Sequence, residues 1–279
     1  MYVKAEHGYS ERRACNLLDV NRCTFRRAPA ADKDTALRAR MREIAEVRRR
    51  FGAPRLHVML RREGLVINHK RTERVYREEK LSLRLKKRKK RPSHARVPQV
   101  GPLCRDEQWG MDFLSDALMD GRRIRILTIV DLWDRSSPAL EVDVSLPGQR
   151  VVGLLERLRR HGRLPRCIRV DNGPEFTGKV LDAWAHQHNV RLDFIRPGKP
   201  MENGHIESFN GKVRDECLNQ NVFLSLADAR DNLERWRDDY NRSRPHSSLD
   251  WLSPDEYYER HRPYNPMGTT NSNLVYQTG

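Results

Sequence analysis

The stretch between residues 105 and 197 admits few folds. WGMDFLSDAL, RIRILTIVD and ALEVDVSL follow one another as three strand candidates. GQRVVGLLERLRRHG then has the spacing of an amphipathic helix, CIRVDNG reads as a fourth strand, TGKVLDAWAHQHN as a helix and VRLDFIRP as a fifth strand. Three strands followed by alternating helix and strand predict a mixed five-stranded α/β sheet flanked by helices. PMENGHIESFNGKVRDECLN (200–219) and SLADARDNLERWRDDYN add two further helices.

The 279 residues allow one large domain, or two ordinary ones plus a small one, and an apolar content of 37% is enough for a packed core. No run approaches the roughly 18 apolar residues that cross a bilayer. The N-terminus, MYVKAEHGYSERR, has no apolar secretory region. The five cysteines (15, 23, 104, 167 and 217) form no CxxC pair, which argues against a disulfide framework or zinc site and fits a reducing cytoplasm. The net charge of +16 is unevenly spread. Residues 1–98 carry 29 Lys and Arg against 11 Asp and Glu, whereas residues 99–279 carry 25 against 27. A basic arm beside a carboxylate-rich body predicts a polyanion bound at one end and chemistry at the other.

The basic arm divides further. YSERRACNLLDVNRCTFRR (9–27) reads as two short helices around a turn near Val20-Asn21, with Ser10 as N-cap. It is either a helix-turn-helix carrying Arg22, Arg26 and Arg27 on its second helix or a plain basic hairpin. Residues 35–83 read as a three-helix basic module in which Leu37, Met41, Ile44 and Val47 share one face, Gly52 ends a helix, Pro54 starts the next and Gly64 stops it. Seven of the eight residues in RLKKRKKR (84–91) are basic, among them Lys86, Lys87, Arg88, Lys89 and Lys90. This is a solvated linker able to bind phosphates without base specificity. The expected divisions are 1–34, 35–83, a basic and Pro-containing linker at 84–104, a core at 105–225, and a C-terminal helix and tail at 226–279.

Three acids stand out. Asp112 lies inside the first strand, and alternation points its neighbours Met111 and Phe113 to the opposite face. Asp171 ends the strand CIRV, where ligands collect in α/β sheets, although DNGP is also turn chemistry. Glu207 lies on a helix whose apolar stripe is Ile206, Phe209, Val213 and Cys217. Asn203, Asn210 and Arg214 extend a polar line from Glu207, and Gly204 and Gly211 sacrifice helix propensity beside it, consistent with a cramped polar cleft for a charged ligand. Singly, each acid can be an edge, turn or surface residue. Together, three carboxylates on two strands and a helix can hold two Mg²⁺ ions, which stabilise the attacking and leaving oxygens of a phosphoryl displacement. Asp131, Glu141 and Asp143 read as outward-facing or structural, Trp109 and Trp184 as core, and Trp236 as packing for the C-terminal helix. His246 either touches phosphate or stabilises a turn.

Asp112 and Asp171 are 59 positions apart, and 35 residues separate Asp171 from Glu207. With the surrounding WGMDFLSDALMDGRRIRILTIVDLWDR, IRVDNGPEF, FIRPGKPMENGHIESFNGKVRDECLN and YNRSRPHSSLDWLSP, this spacing resembles the DDE signature of bacterial insertion-sequence transposases and retroviral integrases. The resemblance covers roughly residues 5–265 and is closest to second-frame (OrfB-type) products of insertion sequences. GAPRLHVMLRREG resembles the family's second helix-turn-helix, departing from its aromatic-basic pair at Ala53-Pro54. The resemblance implies an RNase H-like core and metal-dependent DNA cleavage and strand transfer. It implies two Mg²⁺ (or Mn²⁺) ions bridged by Asp112 and completed by Asp171 and Glu207. It further implies DNA contacts from Arg214, with Lys212, Asn203 and Asn210 as additional contacts or supports, and positioning roles for Asn172 and Glu175. The partners implied are element-end and target DNA, a first-frame (OrfA) product or fusion, and further copies of the chain on DNA, acting in the bacterial cytoplasm at the nucleoid and not at a membrane. No zinc module of retroviral type is present. A DNA-binding regulator with a structural α/β part and a nuclease that cuts without joining are the competing readings.

Overall fold

The structure, a computed structural model, describes residues 6–27, 32–83, 101–196 and 203–262. The chain opens with two short helices, α1 (Glu11–Leu17) and α2 (Arg22–Arg26). The Ser10 hydroxyl accepts the Arg13 N–H and caps α1, and the Asn21 side chain accepts the Cys23 N–H and caps α2. Arg22 and Arg26 both turn back onto Glu11, at 3.1 and 2.7 Å, while Arg27 is exposed.

Helices α3 (Thr35–Val47), α4 (Ala53–Arg62) and α5 (His69–Glu78) enclose a separate apolar core of Leu37, Met41, Ile44, Phe51, Leu56, Leu60, Val66, Val75 and Tyr76. Val47 does not join the face predicted for it; it is 81% exposed. It is the last residue of α3, and the chain leaves the helix at Arg48, whose guanidinium is drawn instead to Asp239. Pro54 sits in the first turn of α4, and Gly64, at φ +75, takes the left-handed conformation that ends it. Lys86, Lys87, Arg88, Lys89 and Lys90 lie outside the described residues.

The sheet comprises β1 (Gln108–Ala117), β2 (Arg123–Asp131), β3 (Leu140–Asp143), β4 (Cys167–Val170) and β5 (Arg191–Phe194), in the order β3-β2-β1-β4-β5. The first three strands form an antiparallel meander, and β4 and β5 run parallel to β1 after helical crossovers through α6 (Gly148–Arg160) and α7 (Lys179–Gln187). Strand alternation divides the interior in two. Trp109, Met111, Leu127, Ile129, Ile168 and Val170 pack under α6 and α7. Leu114, Ile124, Ile126 and Val130 face the other way, under α8 (Gly204–Glu216) and α9 (Leu226–Arg242). The α8 stripe of Ile206, Phe209, Val213 and Cys217 is no more than 1% exposed, so each large side chain in it contributes roughly 1.5–3 kcal/mol of apolar burial.

The C-terminal tail contains one more helix, α10 (Pro254–His261). Its start carries a full capping box, with Ser253 and Glu256 each bonding the other's backbone N–H, followed by Pro254 in the first turn. The S-P-D-E run therefore held a helix signal. His246 is buried and packs edge-on against the Tyr240 ring at 4.6 Å. Asp131 is fully buried rather than outward-facing, and its carboxylate accepts the N–H groups of Asp106 and Trp133 at 2.7 and 2.8 Å. Glu141 pairs with Arg157, and Asp143 with Arg150 and Arg230. No described helix is long and apolar enough to cross a membrane.

Candidate active site

The site grows from the β1–β4 register. Gln108 pairs with Cys167, Trp109 with Ile168 and Gly110 with Arg169, a constant offset of 59. Continued two residues past the end of the ladder, the same offset aligns Asp112 with Asp171. The interval noted in the sequence is thus the pairing register of two parallel strands. Asp171 follows the last residue of β4, and its Oδ1 accepts the Gly173 N–H at 3.0 Å. A Cβ added at Gly173 would stand 2.9 Å from that oxygen, so a side chain there would have to displace the carboxylate from this position.

Helix α8 brings the third acid. Gly110 lies two residues before Asp112 on the same strand face, and a Cβ built there would meet the Ile206 Cβ at 3.4 Å. A strand glycine thus lets the first turn of α8 approach β1 closely, carrying Glu207 beside Asp112. The positive end of the helix dipole also favours an acid in this turn.

Asp112 is half-buried between these neighbours. Burial raises its carboxyl above the ordinary range, and the charges of Asp171 and Glu207 add to that rise. The Phe113 N–H, 2.7 Å from Oδ1, and the Asn210 side-chain amide, 2.7 Å from Oδ2, oppose it. Asn210 is itself buried, and its side-chain carbonyl oxygen has no hydrogen-bond partner among the described residues. The three carboxylates therefore share one electrostatic field. Among the described residues, however, no group of three or more acidic, His or Cys side chains is arranged to hold a metal ion.

The polar line expected along α8 splits into two. Seven residues is nearly two whole turns, so Asn203 and Asn210 share one face and Glu207 and Arg214 another. The asparagines are buried, and Glu207 and Arg214 are exposed. Nor is the space beside Glu207 cramped. A cleft of about 610 Å³ lies there, lined on the α8 side by Gly204, Glu207, Gly211 and Lys212, and Cβ atoms at either glycine would meet nothing within 4 Å. Lys212 is largely desolvated, which pushes its ammonium down to about 8, helped by the nearby Arg244 charge. Glu175 is held by Arg125 of β2, whose guanidinium also covers the Phe113 ring at 4.3 Å. Asn172 donates to the Ile195 carbonyl at 3.1 Å, tying the end of β4 to that of β5. Gly110 and Arg125 escaped the sequence reading. An isolated glycine inside a strand, two positions before a candidate acid, was the available sign of the first; Arg125 carried no local signal.

The profile of the integrase core domain matches residues 102–200 and again 188–254, and that of an HTH-like domain matches residues 31–91. A 31.7 kDa protein of insertion element IS407 from Burkholderia multivorans is 42% identical over 261 residues, covering 93% of this chain and 94% of that protein. A 39.2 kDa protein of insertion element IS476 from Xanthomonas euvesicatoria is 44% identical over 266 residues, covering 92% and 77%. The chain belongs to the insertion-sequence transposases. Strand cleavage and strand transfer on DNA are the general activity of that family, and the transposase is an enzyme of the DDE type. It is also similar to transposase InsF of insertion sequence IS3A from Escherichia coli K12, with 25% identity over 75% of this chain and 77% of that one. Its fold is that of a chain in the simian T-cell lymphotropic virus intasome bound to a PP2A regulatory subunit, with a TM-score of 0.53 at 15% identity over 87% of the transposase and 80% of that chain.

Proposed function

We propose that Asp112, Asp171 and Glu207 carry the chemistry by which this transposase cuts and joins DNA at the ends of its insertion sequence. The observation that supports this reading is the placement of Asp112, a half-buried carboxylate on the strand whose register with β4 leads to Asp171, and near enough to Asp171 and Glu207 for both charges to raise its carboxyl. Such an arrangement is costly by itself and is relieved by a hard cation. The donor set is all carboxylate oxygen, which fits magnesium or manganese better than zinc or copper. We assign Asp112 as the shared ligand of two ions, with Asp171 and Glu207 each completing one. Two such ions, when bound, supply the positive charge that activates a nucleophile and stabilises the oxygens entering and leaving phosphorus.

The residues around that centre hold it in shape. Asn210 and the Phe113 N–H fix the two oxygens of Asp112, and the Gly173 N–H fixes Asp171. Glu175, pinned by Arg125, borders the Asp171 turn. In the first step water adds to the phosphorus at the element end as the bond to the 3′ oxygen breaks, leaving a 3′-hydroxyl on the element. In the second, that hydroxyl attacks a target phosphodiester. The new P–O bond forms as the target's own bond to its 3′ oxygen breaks, and no bond to protein forms. Arg214, exposed two turns beyond Glu207, and Lys212 are the α8 residues assigned to DNA phosphates. We assign the same role to Arg22, Arg26 and Arg27 and to the 84–91 run. The assembly is proposed to work in the cytoplasm as several copies on DNA, together with a first-frame product.

The deciding experiment is Glu207→Gln, assayed in Mg²⁺ on DNA bearing the element's own ends, with cut and joined products separated on a gel. Both products are expected to fall by more than about a hundredfold, beyond the ten- to hundredfold typical of losing a group behind a ligand. Wild-type rates would remove Glu207 from the site.

A further inference from the structure

The cleft beside Glu207 has a second wall, and it comes from the helical module. Arg50, Arg55 and Leu83 face α8 across it. Among the described residues that line it, Leu83 is the one large apolar side chain and the others are charged, serine or glycine, so the space suits a charged ligand rather than an oily one. The cations are loosely committed. Arg50 reaches Asp215 at 3.5 Å and Arg55 reaches Glu216 at 3.4 Å, but Glu216 already takes two bonds from the buried Arg244 at 2.7 and 2.6 Å. Lys212 makes no ion pair or hydrogen bond among the described residues; its ammonium stands 6.0 Å from the Tyr240 ring. Partly desolvated cations with weak or no carboxylate partners are costly unless an anion completes them. In sequence, the chain runs from Leu83 directly into its densest cluster of basic residues.

We propose that this cleft receives the DNA strand beside the scissile phosphate, and that Arg50 and Arg55 bind its phosphates there. The helical module is then a wall of the active site as well as a DNA anchor. This rests on Glu207 being catalytic, since Glu207 is what places the cleft at the chemistry.

Site-directed tethering tests it in the full chain. A Cys23→Ser background removes the exposed native thiol. Arg55→Cys is introduced, and the DNA probe carries the element's ends with a thiol tethered to one phosphate at a time. Disulfide capture at the one or two phosphates flanking the cleavage position is expected, with none there for Arg40→Cys, whose guanidinium pairs with Glu43 and Glu63. Separately, Arg50→Ala with Arg55→Ala should lower the salt slope of end binding by about two and strand-transfer kcat/KM by about tenfold. Capture spread over distant phosphates, or no capture, overturns the proposal. So does a rise in strand transfer in the double variant, which would make the two arginines a latch on Asp215 and Glu216. Glu207→Gln separates this proposal from the one it rests on: it should abolish chemistry and keep the capture at Arg55→Cys. If Glu207→Gln retains chemistry, the catalytic assignment fails whatever the tether reports.

Discussion

Asp112 holds its charge against its surroundings. Burial, Asp171 and Glu207 all raise its carboxyl, so the folded chain grips that proton more tightly than the unfolded chain does. The cost to stability is absent in acid, where both states are protonated, grows as pH rises past the ordinary carboxylate range, and is fully present above the raised folded value. Asp112→Asn removes this cost. The new amide can also be satisfied, because turning the Asn210 side chain over presents its partnerless oxygen to the substituted residue. The metal-free variant is therefore expected to melt at a higher temperature than the wild type at neutral pH. The order reverses with Mg²⁺. A ligand at a hundred times its Kd stabilises by about 2.7 kcal/mol, and only the wild type should gain this. Thermal melts of both proteins with and without Mg²⁺ decide it; equal metal shifts would remove Asp112 from the binding site.

At the scale of elements, α8 packs against β1 at Gly110 so closely that there is room for no more than a methyl. A methyl there would touch Ile206, Leu132 and Val130 at 3.4–3.6 Å, which is ordinary contact, whereas a branched side chain would have to push α8 away. Gly110→Ala should fold and cut DNA nearly as the wild type does. Gly110→Val should cost about 1–3 kcal/mol by overpacking and lose far more activity than stability, because Glu207 moves with its helix. Urea unfolding beside a cleavage assay separates these effects, and full activity in Gly110→Val would show that the approach of α8 does not matter. Apart from α10, the longer elements were legible. β2 occupies the residues of the RIRILTIVD strand candidate, and the α8 stripe is buried at all four positions, since each pattern is local. The 59-residue interval was legible as a number, but its meaning as a strand register needed the β1–β4 ladder. The fate of Val47 was not legible, because periodicity cannot say where a helix stops when a distant carboxylate captures the next residue.

On the scale of the whole molecule, composition overstates the charge left for DNA. Within the helical module, Arg38 pairs with Asp32, Glu78 and Glu79, Arg42 with Glu79, and Arg71 and Arg74 with Asp34. Other arginines dock the module on the core: Arg48 grips Asp239 at 2.5 and 2.9 Å, and Arg62 reaches Glu256 at 2.8 Å. Residues 191 apart carry no sequence pattern that could announce such a pair. An arginine held by carboxylates releases few counterions when DNA arrives, since much of its charge is already met. The run at 84–91 has no acidic residue within it, so the steep part of the salt dependence is expected to come from there. Each phosphate contact contributes about 0.9 to the slope of log Kobs against log salt, so neutralising the seven cations of that run should flatten it by about six if all of them engage. Arg74→Ala, which removes a guanidinium shared by Asp34 and Glu78, should change the slope by less than about one. Binding to random-sequence duplex across a salt series tests both variants. A large drop for Arg74→Ala with little change for the neutralised run would mean that DNA breaks the internal pairs open and draws its charge from the folded module.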